Sequence, residues 1–339
     1  MRLGIMTSGG DCPGLNAAIR AVVRRAGLTY GWTVIGIRRG AHGLMDRPVD
    51  ADTLDARSLG AATLRQGGTL LETVSTGDPF AYPMGDGRVV DRSAEAVAGL
   101  HKLEIGALIC IGGDGSLRII RRLALAADLP LLYVPKTIDN DVPLAGRCIG
   151  HDTAVATATD AVDRLHDVAA SQRRVMVLEV MGRDAGHIAL AAGIAGGADA
   201  ILVPEIPFAL ERVTLPVDWA GGMVVVAAEG VRDSDGQRLG AAGIADALGR
   251  LAGRDSRGMV LGHLQRGGSP VATDRIIASA LGTAVVDLVA AGRRDCMVAW
   301  TGEHVVDLPL STVPPTHAGL DPDGPLVATA RALGISFGD

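Results

Sequence analysis

The stretch "ALICIGGDGSLRII", Ala107–Ile120, decides the fold class. Its first five residues are an uninterrupted apolar run, the kind that forms a parallel strand covered on both faces. Gly112, Gly113 and Gly115 then surround one acid, Asp114, and the residues after Ser116 read as a helix. A strand that turns through glycines into a helix collects backbone N–H groups at one point, which suits an anion. The helix opens with Arg118, Ile119 and Ile120, large side chains that limit what lies beside it. The turn therefore poses a question of size: it holds a nucleotide, a smaller phosphate, or nothing.

The same unit recurs outward from this stretch. Strand-like runs at 3–6, 33–37, 131–134, 175–180, 200–203 and 223–229 alternate with helix-like segments at Leu15–Ala26, Ser93–Lys102, Asp160–Ala170 and Asp274–Ala290. The pattern predicts an α/β fold with two doubly wound parts and mainly parallel sheets. At 339 residues one large or two moderate domains are expected. No low-complexity linker divides the chain, so any boundary is a short crossing. Ligands of such sheets bind outside the carboxyl ends of the strands. The polar loops there are TSGGDCPG (7–14), GGDGS (112–116), PKTIDND (135–141), MGRDAG (181–186) and EG (229–230), and together they predict one cleft between the two sheets.

Composition narrows the partners. Aromatic residues are only 3% of the chain and the formal net charge is −6, which argues against stacking on single strands and leaves no basic footprint for nucleic acid. The four cysteines, Cys12, Cys110, Cys148 and Cys296, are far apart, with no metal-ligand spacing. The opening MRLGIM is too short for a signal-peptide core, and no apolar run reaches about 20 uncharged residues. A reduced, cytoplasmic protein with no membrane partner is expected.

Each loop has a chemical and a bland reading. In TSGGDCPG, Gly9 and Gly10 permit close approach to an anion, or else form a tight turn with Asp11 as a local cap. In GGDGS, Gly113, Gly115 and Ser116 frame Asp114, which either holds Mg²⁺ beside a phosphate or caps the next helix. PKTIDND is the most unusual. Asp139 or Asp141 can accept the proton of an attacking hydroxyl while Lys136 and Thr137 hold a phosphoryl group; the alternative is a solvated acidic turn. Arg183 in MGRDAG suits clamping a phosphate or sugar, or is an ordinary surface arginine. Arg257, His263 and Arg266 surround the apolar run of RGMVLGHLQRGGSP, which by itself reads as a strand with edge charges.

Taken in order, TSGGDCPGLN, GGDGS, PKTIDND, MGRDAG, AEG and LGHLQRGGSP resemble the phosphofructokinase A family over nearly the whole chain. The closing LGISFGD is similar to actinobacterial members. The resemblance implies Mg²⁺-assisted phosphoryl transfer to the 1-hydroxyl of fructose 6-phosphate. It makes Asp139 the base, with Thr137 and Asp141 as its partners, and puts Asp114 near the metal. Met181, Gly182 and Arg183 fall on the loop that closes on the sugar, and Glu229 on the acid that binds sugar hydroxyls. The 6-phosphate pocket falls on Arg174, Arg257, His263 and Arg266. The first two come from a neighbouring subunit in the family, so a homo-oligomer, dimer or tetramer, is implied. The donor-binding domain is expected at 1–150 plus about 263–310, and the sugar-phosphate domain at 151–262 plus about 311–339.

The donor is ATP on this reading, because Gly115 stands where pyrophosphate users carry aspartate. Lys136 is more usual in pyrophosphate users, although a mixed group combining this glycine and lysine includes ATP-dependent members. Two departures bear on the donor. Ser75 replaces a family arginine that reaches the transferring phosphate, a loss of a few kcal/mol of transition-state stabilisation for which Arg65 or Lys136 is the available substitute. Ile119 and Ile120 replace a Gly-Ala pair, and a branched Ile119 is expected to crowd the nucleotide. Basic positions of the family's effector site fall on His166, Asp218 and Ala220, so no strong control by a nucleoside diphosphate or phosphoenolpyruvate is expected. The alternatives are a pyrophosphate-dependent enzyme, a paralogue acting on sedoheptulose 7-phosphate, and a catalytically weak sugar-phosphate sensor.

Overall fold

Apolar strands are buried on both faces only where helices cover them, and the chain alternates accordingly. The computed structural model describes residues 1–74 and 77–339. Its strands are β1 (Arg2–Ser8), β2 (Thr33–Ile37), β3 (Ala51–Leu54), β4 (Tyr82–Pro83), β5 (Val89–Val90), β6 (Ala107–Gly112), β7 (Leu131–Pro135), β8 (Val175–Val180), β9 (Ala200–Leu202), β10 (Met223–Ala228), β11 (Ser256–Val260), β12 (Cys296–Thr301) and β13 (His304–Pro309). Its helices are α1 (Leu15–Tyr30), α2 (Ala41–Met45), α3 (Ser93–Lys102), α4 (Asp114–Ala126), α5 (His151–Gln172), α6 (His187–Ala195), α7 (Ala241–Ala252), α8 (Ala272–Ala290) and α9 (Pro325–Ala332).

Two units result. The first comprises Met1–Thr137, Val142–Gly150 and Arg266–His317; the second comprises Ile138–Asp141, His151–Gln265 and Ala318–Asp339. In the first unit a seven-stranded sheet runs β13-β12-β7-β6-β1-β2-β3. Its inner pairs are parallel, while β3 and β13 close the edges antiparallel. The chain leaves β1 for β2 on one side and returns as β6 on the other, so β1 and β6 flank a topological switch point. Register sets the loops level: Ser8 lies opposite Gly112, and Gly112 opposite Pro135. Helices α1 and α8 pack closely on this sheet; a Cβ at Gly282 would lie 2.8 Å from the Ala18 carbonyl oxygen.

The second unit holds a wholly parallel sheet, β11-β8-β10-β9. All six residues of β10 are buried, as its apolar run predicts. Val180 lies opposite Ala228, which puts the loops after β8 and β10 side by side. β11 is an edge strand, and Arg257–Val260 on it are exposed.

The strands predicted from apolar runs are all present. Of the strands outside those runs, β3 and β13 are partly exposed edges with polar residues among the apolar ones, whereas β12 is buried over Cys296–Ala299 although no predicted run covers it. The predicted Leu15–Ala26 helix extends to Tyr30, where Gly31 ends it at a φ of 65°. The segment 160–170 is the second half of α5. No helix among the described residues is long and apolar enough to cross a membrane. The four cysteines are buried, and none forms a disulfide among the described residues.

Candidate active site

At the switch point of the first unit three loops converge. Gly9, at a φ of 86°, leaves room for Ser116: a Cβ there would meet Ser116 Oγ at 2.9 Å and Lys136 Nζ at 3.2 Å. The Lys136 ammonium donates to the Gly10 carbonyl, and Arg266 Nη1 occupies the space that a side chain at Gly10 would fill. Gly112 is required because the Tyr133 hydroxyl sits where a Cβ would be; that hydroxyl donates to the Gly113 carbonyl at 2.5 Å. Beside Gly115, by contrast, no atom lies within 4 Å of a Cβ position.

Gly113 is the N-cap of α4 and its first residue is Asp114, so Asp114 is not the capping residue. The half-buried Asp114 carboxylate lies 3.2 Å from His317 Nδ1. Gly14, with no side-chain cap bond, likewise takes the N-cap of α1, so Asp11 does not serve there. A cavity of about 330 Å³ opens along α4, lined by Asp114, Leu117, Arg118 and Arg121 and closed by Val142 and Pro314. Ile119 does not line it. Its side chain is instead partly buried against the apolar core of this unit.

Lys136 is 3% exposed. Burial pushes its ammonium below the ordinary lysine range, and the neighbouring Arg266 charge adds to the effect. Cys12, in the glycine loop after β1, is the opposite case: burial pushes its thiol up to about 12, so it is an inert packing residue.

In the second unit the chain runs from Ile138 to Asp141 with both carboxylates buried, Asp139 4% and Asp141 3% exposed. This excludes the solvated acidic turn. The segment is fixed by its backbone: the Ile138 carbonyl pairs with His151 Nδ1 at 2.8 Å, and the Asp141 carbonyl accepts from Ala318 N–H at 2.9 Å. Arg183, at a φ of 54°, directs Nη1 to 3.8 Å from the Asp141 carboxylate. Glu229 Oε1 accepts the N–H groups of Gly182 (3.3 Å) and Arg183 (2.8 Å). Gly182 has a φ of 144°, and a Cβ there would collide with the Ala185 carbonyl.

The structure thus brings together Gly9, Gly10, Gly113, Ser116 and Lys136 in one unit, and Asp141, Met181, Gly182, Arg183 and Glu229 in the other. Asp139 lies in the same buried segment as Asp141. Thr137 is the last residue of the first unit before the crossing, its N–H held by the Ile149 carbonyl at 3.1 Å. Of the residues expected around the 6-phosphate, Arg174, Arg257 and His263 fall in the second unit and Arg266 in the first. Arg174 Nη2 is 3.8 Å from Asp255, and its buried Nε has no hydrogen-bond partner among the described residues. Arg257 and His263 are exposed. Ser75, where the family arginine is replaced, lies outside the described residues, and Arg65 is exposed.

Three supporting residues escaped the sequence reading. Buried Asn16 bonds the Gln66 and Gly67 carbonyls (both 3.1 Å) and the Leu70 N–H (2.7 Å), holding the GGT segment. Arg238 reaches both Glu229 (3.3 Å) and Glu179 (3.6 Å). His317 faces Asp114. Apart from Glu229, nine residues from Arg238, their partners are distant in sequence, and only Asn16, within TSGGDCPGLN, lay in a motif that marked it.

A protein of two parallel-sheet units with glycine-rich anion loops at a switch point and a buried paired-acid segment is built for phosphoryl transfer. Residues 2–289 match the phosphofructokinase family model, and the chain belongs to that family. It is 48% identical to "ATP-dependent 6-phosphofructokinase 1" of Nostoc sp., over 100% of this chain and 99% of that protein. It is also 46% identical to the ATP-dependent 6-phosphofructokinase of Chloroflexus aggregans, over 100% and 98%. Among solved structures, Pichia pastoris phosphofructokinase in the T-state superimposes with a TM-score of 0.82 at 30% identity; the match covers 92% of this chain and 35% of the yeast chain. A pyrophosphate-dependent phosphofructokinase from Marinobacter aquaeolei shares the fold, with a TM-score of 0.81 at 22% identity over 99% of this chain and 92% of that one.

Proposed function

We propose that the protein is an ATP-dependent 6-phosphofructokinase, active in the cytoplasm. The observation that carries this reading is the buried acid pair of an intact PKTIDND segment, Asp139 and Asp141, in a member of this family. The first unit holds the donor and the second the sugar phosphate. Asp139 takes the proton of the 1-hydroxyl of fructose 6-phosphate. The freed oxygen attacks the γ-phosphorus in line, the bond to the bridging β–γ oxygen breaks, and ADP leaves. Gly10, Lys136, Thr137 and Arg183 orient and neutralise the moving group, and Met181, Gly182 and Glu229 hold the sugar. Arg174, Arg257, His263 and Arg266 bind the 6-phosphate.

Asp114 fits Mg²⁺: it offers a hard carboxylate oxygen at a helix start, beside backbone left open at Gly115. When bound, the ion would offset phosphate charge. The same open space beside Gly115, and the inward packing of Ile119, favour ATP over pyrophosphate. A purified-enzyme assay crossing ATP and pyrophosphate with fructose 6-phosphate and sedoheptulose 7-phosphate tests the reading. Turnover is expected with ATP and fructose 6-phosphate; preference for pyrophosphate, or no turnover with either donor, would overturn it.

A homo-oligomer sharing the sugar-phosphate site is part of this proposal. Its support is the β11 edge, where Met259 (47%), Val260 (67%) and the following Leu264 (71%) are exposed beside Arg257 and His263. Edge strands with apolar exposed side chains invite a partner. Val260→Asp is expected to shift the protein to a smaller species in light scattering. It should also raise the KM for fructose 6-phosphate at least about 10-fold, because each lost charge-assisted contact is worth roughly 1.5–3 kcal/mol. An unchanged mass would contradict this placement of the interface.

A further inference from the structure

We infer that Arg266 binds the phosphoryl donor, in addition to any contact it makes with the sugar phosphate. The inference rests on the donor reading of the first unit and deepens it. Arg266 is the first residue of the segment that returns to the first unit, and its guanidinium lies over the glycine loop. Nη1 fills the volume left by the missing side chain of Gly10, within reach of the backbone that a phosphate would approach. Its Nε is buried and has no hydrogen-bond partner among the described residues. A buried guanidinium nitrogen without an acceptor is costly, and a planar fork of donors is shaped for a phosphate.

The surroundings strengthen the case. Lys136 is close enough for the Arg266 charge to contribute to its lowered pKa, so two cations converge on the Gly9–Gly10 peptide. Two positive groups side by side in a buried place repel unless an anion joins them. A polyphosphate chain at this loop supplies that anion and an acceptor for Nε together. Asp11, next to Gly10 in sequence, raises the Lys136 pKa less than the Arg266 charge lowers it. Gly10 is thereby explained twice, by phosphate approach and by the arginine that fills its space.

The test is calorimetric titration of the sugar-free enzyme with the imido analogue of ATP in the presence of Mg²⁺. Wild type, Arg266→Gln and Arg266→Lys are compared, with thermal unfolding as the control for folding. Arg266→Gln should weaken analogue binding about 10- to 100-fold, and Arg266→Lys, which keeps the charge but loses the fork, should fall between. Analogue binding unchanged in both variants, with only the KM for fructose 6-phosphate raised, would overturn the inference and leave Arg266 as a sugar-phosphate residue alone. Wild type that binds neither the analogue nor inorganic pyrophosphate would overturn the donor reading itself, and this assignment with it. Should Arg266→Gln not fold, Arg266→Lys decides by the same comparison.

Discussion

Asp139→Asn should lower kcat by roughly 10²–10⁴-fold, the range expected when a general base is removed. The affinity for fructose 6-phosphate, measured by calorimetry, should stay within a few-fold of wild type. The substitution keeps the shape and the acceptor oxygen of a buried side chain but removes its capacity to take a proton. Asp141 is buried in the same segment and carries the Arg183 contact, so Asp141→Asn is the informative companion. Were Asp139→Asn nearly fully active and Asp141→Asn dead, the base would be Asp141. Were sugar binding lost together with kcat in Asp139→Asn, Asp139 would be a binding group rather than the base. The same measurement decides against a mere sensor, which has no need of a base and would show no turnover in wild type.

The parts of the site that were legible in the sequence are those built from backbone. Gly9 and Gly112 stand where a Cβ would meet Ser116, Lys136 or Tyr133, so the glycine motifs record contacts directly. The paired acids of PKTIDND stood out because dense charge between apolar runs is unusual. What was not legible depends on partners that the fold brings from far away. Arg238 reaches Glu179 across 59 residues and His317 reaches Asp114 across 203, counted from their positions in the chain. Neither has a local pattern to announce it. The direction of Ile119 was also hidden, because residue type gives size whereas the phase of α4 decides which side chain faces the core. The edge strands β3 and β13 were missed because solvent exposure breaks their apolar runs with polar residues, whereas β12, buried over its first four residues, was missed although its run is apolar.

Lys136→Met is expected to set activity against stability. Methionine keeps the length and the apolar stem of the side chain and removes a charge that the buried site disfavours. Loss of one preorganised cation at the transferring phosphate should reduce kcat by about 10²–10³-fold. Thermal stability near neutral pH should hold or rise. The sign follows from the lowered pKa. The folded protein binds this proton less tightly than the unfolded chain does, so keeping it protonated at neutral pH costs folding free energy. That cost shrinks as pH climbs through the lowered pKa and is gone above the ordinary lysine value. Wild type should therefore gain stability from this group toward alkaline pH, while the activity that needs the ammonium declines over the same window. In Lys136→Met both trends should flatten, and the roughly 1 kcal/mol lost with the Gly10 hydrogen bond is offset near neutral pH by removal of the desolvated charge. A variant that loses stability by several kcal/mol, or that keeps the wild-type alkaline decline in activity, would show that Lys136 is a structural pillar of the glycine loop and not the cation that meets the phosphate.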